Sequence, residues 1–208
     1  MANKINHPAP YQNATNITSN DTSTNHSSWP CLTNIVVIGA GYVGLSNAIL
    51  LAQAQLNTQV MLFDIAQNKI ELLQQNKSPL QDTEICDYLA NRLLNLTATS
   101  QSAIDNQGIY QNSDLVIIAT PTNYDVASGK FDTSSVEASI AAVREQNASV
   151  PIVIKSTIPI GFTDSMRQQF DSQILFMPEF LREGQALYDN LYPSRIIVGA
   201  TSKQQALA

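Results

Sequence analysis

Residues 34–46 read Asn34-Ile-Val-Val-Ile-Gly39-Ala-Gly41-Tyr-Val-Gly44-Leu-Ser46. An apolar run, a G-x-G-x-x-G turn and the start of a helix follow one another here, and in this context the motif is typical of dinucleotide binding. Gly39 permits a tight turn, Gly41 lets the backbone approach a pyrophosphate, and Gly44 allows close packing of the helix on the strand. The first helical amides, near Tyr42 and Val43, are expected to face the phosphates with the positive end of the helix dipole.

A second apolar run ends in an acid at the spacing that this fingerprint requires. Residues 59–64 read Gln-Val-Met-Leu-Phe-Asp, and Asp64 follows Gly44 by about twenty residues. A carboxylate there accepts hydrogen bonds from a ribose hydroxyl and repels a 2′-phosphate, so the pattern predicts NAD rather than NADP. Taken singly, the glycines fit an ordinary turn and Asp64 fits a helix cap. Another ribose-containing ligand, S-adenosylmethionine, is also compatible with an acid at this position.

Composition and charge exclude several classes of protein. The chain has 208 residues, of which 44% are hydrophobic, and a net charge of −6. Its basic residues are scattered, which argues against nucleic-acid binding, and no apolar run approaches the length of a membrane span. The two cysteines, Cys31 and Cys86, are not in a metal-binding spacing, and no metal site is expected. Without a signal-peptide pattern, we expect a cytoplasmic protein.

The chain divides into three parts by composition. Residues 1–33 are rich in Asn, Thr and Ser and predict a disordered extension. Residues 34–200 alternate apolar runs with helical patterns and predict one NAD-binding domain. Residues 201–208 resemble the start of a helix that is cut short.

The alternation predicts an α/β fold of the Rossmann type: a doubly wound, mainly parallel sheet with helices on both faces. Continuous Val, Ile and Leu runs indicate strands that are buried on both sides. The predicted strands are 34–38, 59–63, 114–119, 151–155, 173–177 and 195–199. The predicted helices are 42–55, 66–75, 83–93, 134–146 and 162–170.

Polar residues follow several of these strands, and ligands of such sheets bind beyond the carboxyl ends of the strands. Composition alone also fits ordinary turns, because Ser, Thr, Asp and Pro favour turns. The strings themselves are more specific: Ala119-Thr-Pro-Thr122, Lys155-Ser-Thr-Ile-Pro-Ile-Gly161 and Pro178-Glu-Phe-Leu-Arg-Glu-Gly184. Together with the glycine motif, and in this order, they closely resemble the UDP-glucose 6-dehydrogenase family. The resemblance extends over residues 34 to about 200, and Ser78-Pro-Leu-Gln-Asp82 resembles the family's substrate-side loop.

The resemblance implies a dehydrogenase that oxidises the C6 alcohol of UDP-glucose to the carboxylate of UDP-glucuronate with two NAD, in polysaccharide biosynthesis. Enzymes that oxidise GDP-mannose or UDP-N-acetylmannosamine share this plan. On the cofactor side it implies that Asp64 binds the ribose, that Lys69 lies near the adenosine ribose, and that Thr120 and Glu183 lie near the cofactor. The residues that match the pyrophosphate turn are Gly39, Gly41, Tyr42, Val43 and Gly44.

Two catalytic residues are implied as well. Thr157 matches a threonine that helps to hold a catalytic water, and Glu179 matches a glutamate that acts through this water as a general base or in thioester hydrolysis. A glutamate placed beside a water that a threonine holds is a reasonable base on physical grounds, provided that burial tunes its pKa. The spacing of Glu179 and Glu183 also fits one face of a helix. Phe180, Leu181 and Arg182 match a loop that lines the sugar-nucleotide site.

The family's catalytic cysteine lies in a second domain, and neither Cys31 nor Cys86 matches it. We therefore expect the NAD-binding half of an enzyme that is a homodimer when intact. A truncated or degenerate module that binds NAD without catalysis remains an alternative, and the oligomeric state of this chain stays open.

Overall fold

The computed structural model describes residues 32–53, 57–100, 108–126, 129–170 and 173–199. Most of the predicted extension 1–33 and all of the predicted helix start 201–208 lie outside these ranges. The unit that carries the described elements begins at Leu32.

Strands and helices alternate along much of the described chain, as the apolar pattern predicts, although two helices follow each other after the second strand and three strands follow one another in the middle of the chain. The strands are β1 Asn34–Ile38, β2 Gln59–Phe63, β3 Leu96–Thr99, β4 Leu115–Ile118, β5 Asn123–Asp125, β6 Lys130–Asp132, β7 Ile152–Ile154 and β8 Ile174–Phe176. The helices are α1 Tyr42–Leu51, α2 Gln67–Gln74, α3 Thr83–Asn91, α4 Ser134–Gln146, α5 Phe162–Phe170 and α6 Ala186–Leu191, with a 3₁₀ turn at Ile109–Asn112. Every helix within the described ranges is too short or too polar to cross a bilayer.

Six strands form one sheet in the order β3-β2-β1-β4-β7-β8, and β5 pairs with β6 in a separate hairpin. All pairs within the six-stranded sheet are parallel. The chain moves outward from β1 to β3, returns to β4 beside β1, and moves outward again to β8. This order is that of a doubly wound nucleotide-binding fold, so the predicted fold class is confirmed.

Helices cover both faces of the sheet because side chains alternate along each strand. On one face, Val37 and Leu62 pack in a core with Leu45 of α1 and with residues of α2, α3 and α6. On the other face, Ile38 and Ile118 pack with residues of α4 and α5. Strands buried on both sides explain the continuous apolar runs.

The segment 195–199 was predicted as a strand, and this prediction is wrong. Only Gly199 reaches the sheet, through an isolated antiparallel bridge to Phe176. The carbonyl oxygen of Ile174, two residues before Phe176 in β8, already accepts a hydrogen bond from Nε of Arg167 at 2.7 Å. It is therefore occupied by a side chain and not by a neighbouring strand. The Ile and Val residues have strand propensity but find no continuous edge to pair with.

The start of the described chain is fixed by one carboxylate. Asp114 accepts hydrogen bonds from the backbone amides of Asn34 and Thr33, both at 2.9 Å. These bonds, with the Thr33 hydroxyl, hold the pKa of Asp114 below its usual range. Leu32 also takes part, since its carbonyl oxygen accepts from the Thr58 hydroxyl at 3.1 Å. Leu32 and Thr33, which the sequence places in the extension, are thus tied to the sheet.

A second carboxylate joins two helices that are far apart in sequence. Asp82 is 3% exposed. Its Oδ1 accepts from the Ile85 amide at 3.0 Å, in the first turn of α3. Its Oδ2 accepts from the Ala186 amide at 2.6 Å, at the start of α6. One side chain therefore satisfies an otherwise unpaired amide at each helix terminus.

Replacing Asp82 by alanine removes the acceptor for both amides. We expect the free energy of unfolding to fall by about 2–4 kcal/mol, because each lost cap costs roughly 1 kcal/mol and a buried amide without an acceptor costs more. Urea unfolding measures the change. The control is Asp87→Ala on the exposed side of α3, expected to change stability by less than about 0.5 kcal/mol. Equal effects of the two substitutions would contradict the double cap.

Candidate functional site

The glycine turn packs tightly against its own helix and against β4. A Cβ atom on Gly39 would overlap the Ala119 carbonyl oxygen, and the φ of Gly39 is +104°. A Cβ atom on Gly44 would overlap the Gly39 carbonyl oxygen. Both positions therefore exclude any other residue on grounds of folding alone.

Gly41 differs, because a Cβ atom there would meet no atom within 4 Å. It immediately precedes α1 and has no side chain to cap the helix. The amides of the first turn of α1, including those of Tyr42 and Val43, therefore face an open cradle at the positive end of the helix dipole. This cradle fits a pyrophosphate, and Gly41 lacks a side chain where the pyrophosphate would lie.

Asp64 lies beside the glycine turn at the end of β2. Its Oδ2 accepts from the Ala40 amide at 2.6 Å, and its Oδ1 accepts from the Ala66 amide at 2.8 Å. Nζ of Lys69 lies 3.5 Å from Oδ2. Each carboxylate oxygen has a second lone pair, so Asp64 can hold the turn and still accept from a ribose hydroxyl.

Two further strand-end loops lie together beyond β4 and β7. The hydroxyl of Ser156 donates to the Thr120 carbonyl oxygen at 2.7 Å, and the hydroxyl of Ser135 lies 3.0 Å from the Thr120 hydroxyl. Thr157 follows Ser156 and is exposed. Thr120 and Thr157 are thus brought to the same edge of the sheet as the glycine turn.

Glu179 is held from two other elements. Its Oε1 pairs with Nζ of Lys155, at the end of β7, and accepts from Nδ2 of Asn47, in α1, at 3.1 Å. The Lys155 and Glu179 side chains are 10% and 14% exposed. Within the described part of the chain both contacts go to Oε1, which leaves Oε2 to accept from a water or a ligand.

The alternative interpretation of Glu179 and Glu183, as a surface pair on one face of a helix, does not hold. Residues 177–185 form no regular helix, and α6 begins only at Ala186. Glu183 is exposed, whereas Glu179 points into the ion pair. The physical reason is that Lys155 and Asn47, from two other elements, bind Glu179, which holds the loop in a non-helical path.

The remaining loop residues are held differently from one another. Phe180 is half exposed, and the guanidinium of Arg195 lies 4.3 Å from the centre of its ring. Leu181 is partly buried. Arg182 makes an ion pair with Asp189 of α6, with Nη2 2.7 Å from Oδ1.

A cleft of 470 Å³ runs beside these residues. Its lining includes the apolar residues Leu115, Ile117 and Val153 and the charged residues Lys155 and Glu179. No group of three His, Cys, Asp or Glu side chains in the described ranges could hold a metal ion. Cys86 is an exposed free thiol, and Cys31 lies outside the described residues.

Three residues of this site are absent from the sequence-based set. Lys155 directly follows a strand of three buried residues, so a charge in that position was a usable signal. Asn47 is 6% exposed within the apolar helix α1, which was a comparable signal. Asp189 had no signal in the sequence, because its partner is set by the path of the loop.

The fold, the glycine cradle and the acid at the end of β2 define a dinucleotide-binding domain of the dehydrogenase type. Residues 33–208 match the model of the UDP-glucose/GDP-mannose dehydrogenase family, NAD binding domain. The chain therefore belongs to this family, and the predicted resemblance and the predicted cofactor NAD are confirmed.

Individual relatives agree with the family. The chain is 51% identical over 166 residues to UDP-glucose 6-dehydrogenase of Streptococcus pneumoniae, covering 79% of this chain and 40% of that protein. It is 46% identical over 169 residues to UDP-glucose 6-dehydrogenase of Campylobacter jejuni, covering 81% of this chain and 42% of that protein. A solved UDP-glucose dehydrogenase from Pyrobaculum islandicum superimposes with a TM-score of 0.70 at 27% identity, over 89% of this chain and 44% of that one. The chain thus spans less than half the length of each.

The two glycines Gly41 and Gly44 give a matched test of the cradle. Gly44→Ala should lower the free energy of unfolding by at least about 3 kcal/mol, because its Cβ meets a backbone carbonyl. Gly41→Ala should stay folded within about 1 kcal/mol and weaken NAD binding by at least roughly tenfold, because its Cβ fills the cradle. Urea unfolding and calorimetric titration with NAD measure the two effects. Unchanged NAD affinity in Gly41→Ala would contradict the position of the pyrophosphate.

Lys155 gives a second test. Lys155→Met leaves Glu179 as a largely buried carboxylate without its cation, and should lower stability by about 3–5 kcal/mol. The double variant Lys155→Met with Glu179→Leu should recover most of this loss, since an apolar pair replaces the ion pair. Lys69→Met is the matched control: its side chain is 33% exposed, and the expected change is below about 1 kcal/mol. A double variant as unstable as Lys155→Met would contradict a pairwise interaction.

Proposed function

We propose that this chain is the NAD-binding part of a UDP-glucose 6-dehydrogenase, which oxidises UDP-glucose to UDP-glucuronate with two NAD. The observation that carries the proposal is the position of Glu179, a largely buried carboxylate fixed by Lys155 and Asn47 on the carboxyl edge of the sheet, the same edge as the cofactor cradle. The curated relatives named UDP-glucose 6-dehydrogenase support the substrate.

NAD, when bound, supplies the acceptor for hydride. In the proposed site the turn Gly39–Gly44 binds the pyrophosphate through backbone amides, including those of Tyr42 and Val43. Asp64 accepts from the ribose hydroxyls, and Lys69 lies beside it at the adenosine end. Thr120 contacts the cofactor from the loop after β4, and Glu183 lies toward the nicotinamide end.

The catalytic part of the proposal concerns a proton and a water. Thr157 holds a water by its hydroxyl, and Glu179 accepts a proton from it through Oε2 while Lys155 and Asn47 keep the carboxylate oriented. Phe180, Leu181 and Arg182 belong to the loop that lines the sugar-nucleotide site, and the adjoining cleft offers apolar and polar surface. The family's catalytic cysteine is assigned neither to Cys31 nor to Cys86.

Two finer parts of the proposal follow from the family resemblance. The intact enzyme is a homodimer, and it acts in the cytoplasm, where it provides UDP-glucuronate for polysaccharide synthesis. Its substrate is a nucleotide sugar, and GDP-mannose and UDP-N-acetylmannosamine are the alternatives to UDP-glucose.

The second candidate function is an NAD-binding module without catalysis. The observation that favours it is that the cradle and Asp64 hold each other, since Oδ2 of Asp64 accepts from the Ala40 amide at 2.6 Å. The contacts of the glycine cradle and Asp64 lie within the described residues, whereas neither Cys31 nor Cys86 is assigned the role of the family's catalytic cysteine.

The test is NAD titration by calorimetry followed by an assay of NADH formation. Asp64→Ala should weaken NAD binding by at least roughly tenfold, because the ribose loses its acceptor and the turn loses its hydrogen bond to Ala40. Asp87→Ala, on the exposed side of α3, should bind NAD as the unaltered chain does.

The absorbance of NADH is then followed with UDP-glucose, GDP-mannose and UDP-N-acetylmannosamine in turn. Sustained turnover that is fastest with UDP-glucose would support the dehydrogenase. Sustained turnover would contradict the module without catalysis, NAD binding without turnover is expected of either function in this chain, and a folded chain that binds no NAD would contradict both.

A further inference from the structure

The loop between β8 and α6 contains the residues proposed to line the sugar-nucleotide site, and it has no regular secondary structure of its own. Its shape therefore depends on side-chain contacts to other elements. Glu179 is fixed at its start by Lys155 and Asn47, and Asp82 accepts from the Ala186 amide at its end. The middle of the loop, around Arg182, is held by Asp189.

Three hydrogen bonds join Arg182 to Asp189. Oδ2 of Asp189 accepts from the Arg182 backbone amide at 2.8 Å and from Nε at 3.1 Å. Oδ1 accepts from Nη2 at 2.7 Å. The carboxylate thus binds both the main chain and the guanidinium fork of one residue, which fixes the direction of the backbone as well as that of the side chain.

Asp189 is more buried, and held by more of the structure, than the Arg182 that it binds. The Asp189 side chain is 18% exposed and that of Arg182 is 65% exposed. Asp189 lies in α6, whose Leu187 and Leu191 are buried in the core and whose Asn190 donates to the Ser46 hydroxyl of α1 at 2.8 Å. The hydrogen bonds from Arg182 also hold the pKa of Asp189 below its usual range.

The ion pair between Arg182 and Asp189 contributes little to the free energy of unfolding, because one of its partners is exposed to solvent. It also leaves Arg182 poorly suited to bind a diphosphate, since the Nε and Nη2 edge of its guanidinium is already occupied. What the pair does fix is the path of the chain beside Phe180 and Leu181.

We propose that Asp189 is a positioning residue for the nucleotide sugar: it holds Arg182 as a strut, so that the loop Glu179–Gly184 keeps the shape that the ligand needs. The proposal rests on the proposed function, since it takes the ligand of this loop to be UDP-glucose. It assigns to Arg182 a structural task in the loop in place of direct contact with the substrate.

The experiment compares Asp189→Ala and Asp189→Asn with the unaltered 208-residue chain. Hydrogen exchange followed by mass spectrometry reports on the backbone amides around Arg182, and calorimetry gives the Kd values for UDP-glucose and for NAD. In Asp189→Ala we expect exchange near Arg182 to be at least roughly tenfold faster, the Kd for UDP-glucose to rise at least roughly tenfold, and the Kd for NAD to stay within about twofold.

Asp189→Asn retains an acceptor for the Arg182 amide and loses the charge, so its two effects should be smaller in size and the same in direction. If Asp189→Ala fails to fold, the same measurements on Asp189→Asn test the proposal. The control is Asp164→Ala in α5, which removes another aspartate–arginine ion pair, with Nη1 of Arg167 at 2.9 Å, that lies away from this loop. It should leave the exchange near Arg182 and both Kd values unchanged.

A merely structural role for Asp189 would weaken both ligands together and speed exchange in other segments as well, and that result would overturn the proposal. Unchanged hydrogen exchange near Arg182 in Asp189→Ala would overturn the proposal that Asp189 fixes the backbone around Arg182. Faster exchange near Arg182, in a chain that does not bind UDP-glucose even without substitution, would instead overturn the proposed substrate of the loop.

Discussion

The close approach of Gly44 to the Gly39 carbonyl oxygen is the constraint on which the rest of the site depends. No other residue fits at Gly44, and with glycine there α1 can lie directly against the end of β1. That contact sets the position of the whole helix. The open amides at its start, and the side chains further along it, are then fixed in space.

Helix α1 forms the cofactor cradle with its first turn, and it holds the loop before α6 and α6 itself through the neighbouring residues Ser46 and Asn47. Asn47 donates to the Val43 carbonyl oxygen at 2.8 Å and to Glu179, while Ser46 accepts from Asn190 of α6. Both residues are buried and polar, and both have partners, as burial requires. The cradle for the cofactor and the loop proposed for the sugar nucleotide are therefore positioned by one rigid element. A shift of α1 would move both together.

The sequence predicted the parts of the fold that have a strong period or a fixed motif. The runs at β1 and β2 are continuous and largely buried, and the G-x-G-x-x-G spacing is a fixed motif for the turn after β1. Strand β3, Leu96–Thr99, was not predicted, because it is a short edge strand of partly exposed residues with little apolar content. The strand predicted at 195–199 had the composition but lacked a free edge, which depends on Arg167 and so on tertiary structure. In the site, the positions after each strand were predictable, whereas the partners of Glu179 and Arg182 depend on the path of a loop without a period.

Asp82 has a consequence for the order in which the molecule can assemble. Its two amide partners lie in α3, next to it in sequence, and in α6, where Ala186 follows it by 104 positions. During synthesis from the N-terminus, α3 is made long before Ala186 exists. One oxygen of Asp82 therefore remains open to water until the last described helix docks. The loop that precedes α6 gains its final anchor in that same event, so this part of the site is completed only when nearly the whole described chain has been made.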